Sequence, residues 1–362
     1  MINAEIRIIS PILVGSGEYM DFKYLYRTNG KFRIVDFDRT ADIILSSRMA
    51  KAITDRILNK IKLGERDWQD IWEDLDRHNL IFLYEDEIEA MSSDLGKKTT
   101  NIIMYAGMPV WTGERMSFKP YIPGSTIKGS IRNAILYKYI KSYGHVINRN
   151  EYSNIFKDAF RISLREKGTI DVMKYIMVSD FISDDVKLGI GRIERKNLMN
   201  SRPSGRFQPA IFIKSGIFKG SISINRDVFL EPAEKFESIR GKLRSLLGED
   251  IFQGLTPRAP SKVMDERLML SCEKLLEEFT RDVDGWLRSN YPRMVDISDE
   301  PNMYIGFGKG INRNTPAVSL PLQTASQVFR FRRGRYPPST MPFVRVSDLK
   351  YLPLGRAMMK HV

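Results

Sequence analysis

The sequence has one cysteine, Cys272, and three histidines, His78, His145 and His361. A single thiol closes no internal disulfide and builds no cysteine zinc cluster, and it suits a reducing compartment. No two histidines stand at metal-ligand spacing, so no cofactor or metal is expected. No hydrophobic run approaches the length of a bilayer span, and no membrane partner is expected. The opening "MINAEIRIIS" lacks a cationic stretch followed by an apolar one, so no secretion signal is expected and the cytoplasm is the expected location. Low-complexity tracts and short tandem repeats are missing too. Acidic charge is in short supply: 44 Asp and Glu face 57 Lys and Arg, a net charge of +13. Such a balance fits either a polyanionic partner, nucleic acid by default, or a soluble protein that happens to be basic. Composition does not separate the two, but several basic clusters sit beside Gly-rich turns rather than along solvated helix faces.

At 362 residues the chain is long enough for two cores. The segment "NAEIRIISPILVGSG", from residue 3, reads as a strand ending in a Gly-rich turn. "FKYLYRTNGKFRIVDF" (22–37) reads as a hairpin around Asn29-Gly30. A helix is expected from Asp38 to about Lys62, capped by Asp38 or Thr40, and a second helical run over roughly 65–92 carries Trp68 and Trp72. "GMPVWTGERMSFKPYIPG" reads as a turn-rich connection, followed by a helix from 126 to about 143. "KYIMVSDFISDD" (174–185) reads as a strand closed by acids. Residues 186–225 alternate like the strands of a long hairpin with a polar tip, "NLMNSRPSGRFQP". Residues 232–290 are mostly helical in pattern, and the last seventy return to short strands. The order strand, hairpin, helices, strand occurs twice, which suggests two α+β domains meeting near residue 185.

Four clusters point to polyanion chemistry. In "PYIPGSTIKGSIRNAIL" (120–136), Gly124 permits a tight turn and Ser125 can cap the helix. Ile127, Ile131, Ala134, Ile135 and Tyr139 form an apolar stripe, while Lys128 and Arg132, four apart, share the polar flank. A cation in the first turn opposes the helix dipole unless an anion lies there, so the flank is either a phosphate site or a solvated surface. In "GFGKGINR" (306–313), Lys309 and Arg313 interleave with three glycines, as backbone approaching a ligand or as a tight turn between strands. Neither run is a dinucleotide or Walker loop, since no helix follows the first and no lysine follows the second glycine of "GSTIKGS". "GRIERKN" carries Arg192, Arg195 and Lys196. In "FRFRRGRY", Arg330, Arg332, Arg333 and Arg335 alternate with Phe329, Phe331 and Tyr336, a pattern suited to phosphates and bases of a single strand, or a strand with a charged outer face. Catalytic candidates are few. His145 lies near Lys141, Tyr143 and Arg149, and Asp180, Asp184 and Asp185 either hold Mg²⁺ or close a strand end.

These segments resemble, in order, the motifs of the RAMP superfamily of type III CRISPR–Cas effector complexes. "PYIPGSTIKGSIRNAIL" is similar to its hallmark P-x-I-P-G-S-S-x-K-G-x-I-R. "ISPILVGSGE" resembles the first strand and turn, "MVSDF" the strand before the thumb-like hairpin, "MYIGFGKG" the C-terminal Gly-rich loop, and "LPLGRAM" the closing strand. Arg356 stands where tryptophan is usual, and "AIFIKSGIFKGSI" lacks a glutamate often found there. Within the superfamily the arrangement resembles the type III-A Csm subunit that caps the 3′ end of the guide RNA. The resemblance implies an α+β fold of two ferredoxin-like (RRM-related) domains with helical insertions. These are 1–185, with an insertion at about 38–92, and 186–362, with a thumb-like hairpin and an insertion at about 232–290. It implies a non-catalytic role: binding crRNA and its duplex with target RNA, abutting RAMP backbone subunits and the small helical subunit, and recruiting host trimming nucleases during crRNA maturation. Carried over by position, Gly124, Ser125, Lys128, Gly129 and Arg132 contact the guide backbone, and Gly306, Gly308, Lys309 and Gly310 form a loop near it. The other functional class is a RAMP endoribonuclease for guide processing or target cleavage, with His145 or Asp184 carrying the chemistry.

Overall fold

The computed structural model describes residues 1–76, 80–83, 87–91, 95, 101–112, 115–142, 148–164, 168–197, 208–225, 228, 233–253, 261–290, 302–306, 316–320, 322–328, 340–345 and 351–362. Strand β1 (Ile2–Ile8) alternates buried and outward residues, as a strand with one covered face must. The glycines expected to form a turn after it lie instead in β2 (Gly15–Asp21). Hairpin β3 (Leu25–Thr28) and β4 (Lys31–Ile34) turns at Asn29 and Gly30, both with positive φ (48° and 77°), as its twist requires. The single helix expected over 38–62 is two, α1 (Phe37–Ser46) and α2 (Ala50–Leu63). Asp36, not Asp38 or Thr40, caps the first by accepting from the Arg39 N–H. The run expected to be helical over 65–92 contains α3 (Gln69–Asp76) and then a strand, β5 (Ile88–Ala90). The expected turn-rich connection is a hairpin: after β6 (Asn101–Tyr105) come β7 (Gly107–Thr112) and β8 (Arg115–Ile122), paired from Gly107↔Pro120 to Thr112↔Arg115.

Next come α4 (Gly124–Lys141), α5 (Arg149–Asp158), the separate pair β9 (Arg161–Leu164) and β10 (Gly168–Asp171), and short β11 (Ile176–Val178) and β12 (Phe181–Ile182). The long hairpin is β13 (Val186–Asn197) and β14 (Gln208–Ile224); its tip, 198–207, lies outside the described residues. Helices α6 (Ala233–Leu247) and α7 (Ser261–Asn290) follow. The chain then adds β15 (Met303–Tyr304), α8 (Leu322–Val328), β16 (Thr340–Arg345), β17 (Tyr351–Pro353) and β18 (Arg356–His361).

All these strands except β9 and β10 join one sheet, whose main path runs β15-β18-β1-β14-β13-β5-β4-β3. The strand β14 links its two regions: up to Gly216 it pairs with β13, and from Ile217 onward with β1. In the second region the order β18-β1-β14-β11 is antiparallel throughout. Helices α4 and α7 lie side by side against it, α7 touching β1, β14 and β18, and α4 touching β11. This layer draws β1, α4 and β11 from before residue 185 and β14, α7 and β18 from after it. The expected division into 1–185 and 186–362 therefore cuts through paired strands, because β1 lies between β14 and β18. The α+β class itself stands. A separate core lies among α1, α2, α3 and the β3–β4 hairpin, where Trp72 is wholly buried and donates through Nε1 to the Lys23 carbonyl at 2.7 Å. Among the described residues no helix is long and apolar enough to cross a membrane.

Candidate nucleic-acid interface

The helix α4 starts where β8 ends, at Pro123, whose φ of −56° already suits a helix start. Gly124 is buried, and its role is not a tight turn but a close approach. A Cβ there would press on the Val178 carbonyl and lie 2.6 Å from the Ser179 oxygen, so only glycine lets the helix end rest on the β11–β12 turn. Its N–H donates to Asp180 Oδ1 at 2.8 Å, and no side chain caps from within; Ser125, the expected cap, is exposed. The anion expected at this helix start is thus the protein's own Asp180 carboxylate, which satisfies both an end N–H and the helix dipole. Gly124 is accordingly not available to a guide backbone.

The stripe Ile127, Ile131, Ala134 and Ile135 is buried as expected, and Tyr139 is half-buried. Ser130, Leu136 and Tyr137 are buried as well, because α7 covers a further face. Tyr137 donates to Asp282 of α7 at 2.5 Å, and Lys141 bridges Asp282 at 2.7 Å and Glu278 at 3.2 Å. The two flank cations differ. Arg132 pairs with Asp171 at 2.9 Å and lies 4.0 Å over the Phe160 ring, so its charge is already answered. Lys128 is half-buried and has no salt bridge or hydrogen bond among the described residues. Burial lowers its pKa most; Asp171 attracts in the opposite sense and Arg132 repels in the same sense. Ser125 and Gly129 are exposed on either side of it along the helix.

Other motif segments converge behind this helix. Ser130 donates to the Tyr304 carbonyl at 2.8 Å. The N–H of Ile305 donates to Gly355 and that of Gly355 to Pro11, both at 2.9 Å. Gly306, φ 81°, has no room for a Cβ, which would lie 2.6 Å from the Leu13 oxygen. The "ISPILV", "MYIG" and "PLGR" runs are therefore one structural junction. Arg192 and Arg195 belong elsewhere: β13 pairs them with Arg345 and Pro342 of β16, and Lys196 follows on the same strand. Arg192 also faces Pro209, whereas β11 beside α4 pairs with Ile222 to Ile224, ~40 Å further along β14 at the usual rise per residue. Gly308, Lys309, Gly310, Arg313, Arg330, Arg332, Arg333, Arg335 and His145 lie outside the described residues.

The acid cluster divides as well. Asp180 caps α4, and Asp184 is fully exposed with a 3.3 Å bridge to Lys119. Among the described residues no three His, Cys, Asp or Glu side chains gather as metal ligands do. Sequence reasoning missed Ser130, Asp171 and Phe160 as supports of the cationic flank. It placed Asp180 correctly at a strand end without seeing which helix it serves.

Comparison with known proteins agrees with this layout. Residues 108–318 match the model of the RAMP superfamily. A curated relative, the CRISPR system Cms protein Csm5 of Methanocaldococcus jannaschii, is 23% identical over 331 residues, covering 85% of this chain and 71% of that protein. A chain in a cryo-EM structure of a type III-A Csm–crRNA–target RNA ternary complex has a TM-score of 0.64 at 19% identity, covering 99% of this chain and 100% of that one. The crystal structure of T. onnurineus Csm5 has a TM-score of 0.58 at 15% identity, covering 98% and 99%. The motif order, the sheet that joins both ends of the chain and the match over more than half its length place this chain in the RAMP superfamily, and the relatives it is similar to include Csm5 proteins.

Proposed function

We propose that this protein is a non-catalytic RNA-binding subunit of a type III-A CRISPR effector complex, seated at the 3′ end of the crRNA. The observation that carries this reading is Lys128. A half-buried ammonium with no carboxylate in salt-bridge range among the described residues, and with burial opposing its charge, is relieved by a phosphate. Ser125 and Gly129, exposed beside it, leave room for a ribose-phosphate chain. The ferredoxin-like unit in this reading is the layer β18-β1-β14-β11 with α4 and α7. The crRNA–target duplex, neighbouring RAMP backbone subunits and the small helical subunit are its partners, and trimming nucleases act on the RNA it holds. Arg192, Arg195 and Lys196, with the Gly-rich and Arg-rich C-terminal runs, extend the contact to the guide.

The test is binding of fluorescein-labelled crRNA by the purified protein across a salt series, with Mg²⁺ or EDTA. The expected result is affinity that falls steeply with salt, at roughly one counterion per phosphate contacted, and RNA that stays intact. Binding that ignores salt, or RNA cut to a defined length in Mg²⁺, would falsify the proposal.

A further inference from the structure

The residue that departs from the closing motif, Arg356, is nearly buried at 2% exposure. Its guanidinium bridges Asp284 of α7 at 3.1 Å, and the Tyr304 hydroxyl donates to the other oxygen of the same carboxylate. The Arg356 backbone is equally committed. Its N–H donates to Ser10 Oγ at 3.0 Å, and its carbonyl accepts from Ile9 at 3.0 Å and Ser10 at 3.1 Å. A buried ion pair adds little stability over an apolar pair of the same shape, but it fixes geometry, because breaking it leaves a charge without water. The geometry fixed here matters to α4. Asp284 and Arg356 together hold Tyr304, and the Tyr304 carbonyl receives Ser130, two residues beyond Lys128.

We infer that Arg356 is a positioning residue for the phosphate site at Lys128. Through Asp284 and Tyr304 it sets where the first turns of α4 stand relative to the 9–14 segment and Gly306. It acts at a distance and does not touch the RNA. This inference rests on the RNA-binding reading.

The experiment is a double-mutant cycle on the full chain. Arg356→Met, Lys128→Ala and the pair are titrated with a fluorescein-labelled single-stranded oligoribonucleotide over a salt series, alongside thermal melts. Lys128→Ala is expected to weaken binding about tenfold in the wild-type background and less than about twofold beside Arg356→Met, with the salt slope already reduced in the latter. Asp284→Leu combined with Arg356→Met is expected to recover the melting temperature without recovering affinity, which separates placement from stability. Should Arg356→Met not fold, Tyr304→Phe removes only a hydroxyl and is expected to reduce the Lys128 effect in the same direction. Equal Lys128→Ala penalties in both backgrounds, or wild-type affinity in the Leu/Met pair, overturns the inference and leaves the RNA-binding reading intact. A wild-type chain that binds no RNA overturns both.

Discussion

Lys128 and Arg132 stand one helical turn apart on α4 in different surroundings. Arg132 is held by Asp171 and stacks on Phe160, so it behaves as part of the fold. Lys128 has no such partner among the described residues, and burial lowers its pKa. The two substitutions should separate in what they change. Lys128→Ala is expected to cost about 1–2 kcal/mol of RNA binding and about one phosphate of salt slope, with an unchanged melt. Arg132→Ala is expected to cost about 1 kcal/mol of stability, through the lost ring contact and a half-exposed ion pair, with a smaller change in salt slope. Titrations and melts on both variants check this; a salt slope lowered by Arg132→Ala alone would move the phosphate site to that side chain. The spacing of these cations was legible in the sequence. Asp171 was not legible as their neighbour, nor Asp180 as the acceptor of the Gly124 N–H, because no local pattern says which carboxylate a tertiary contact brings to a helix.

At the scale of elements, the α4–α7 contact is closed by charge as well as by apolar packing. Burial raises the Asp282 pKa, but its hydrogen bonds with Lys141 and Tyr137 prevail and hold it below the usual carboxylate value. A carboxylate lowered on folding stabilises above its unfolded pKa and loses that contribution as pH falls through the folded one. Wild type is therefore expected to melt above Asp282→Asn at neutral pH, by at most about 1 kcal/mol for a partly exposed pair, and the gap is expected to close on acidification below about pH 4. A gap that widens in acid would assign the effect to packing instead. The periodicity of α4 was readable because its stripe recurs at helical spacing. The β7–β8 hairpin was not, since Pro109, Pro120 and Gly107 look like turn residues and its ladder runs along an edge that tolerates proline.

For the whole molecule, the decisive contact joins residues far apart in sequence. Ile6 faces Phe218 on one side and Met359 on the other, so the first strand is the middle of a layer finished by the last. Fragments 1–185 and 186–362 expressed separately are expected to show no cooperative melt, and to recover one only when mixed. A sharp melt for either alone would restore the two-domain division. The sequence suggested that division because each half contains strands and helices in similar order, and local pattern carries no record of strand partners more than 200 residues away.

By itself the sequence determined the α+β class, the α4 stripe, the Asn29-Gly30 hairpin and the excess of cations. These follow from periods of two and 3.6, from residues that tolerate positive φ, and from charge that needs no partner to be counted. Tertiary structure alone decided that Asp180 occupies the helix start, that Arg132 is neutralised while Lys128 is not, and that Arg356 is buried against Asp284. Those outcomes depend on which distant carboxylate comes within a few ångströms of a cation, a quantity set by chain closure and by the displacement of water.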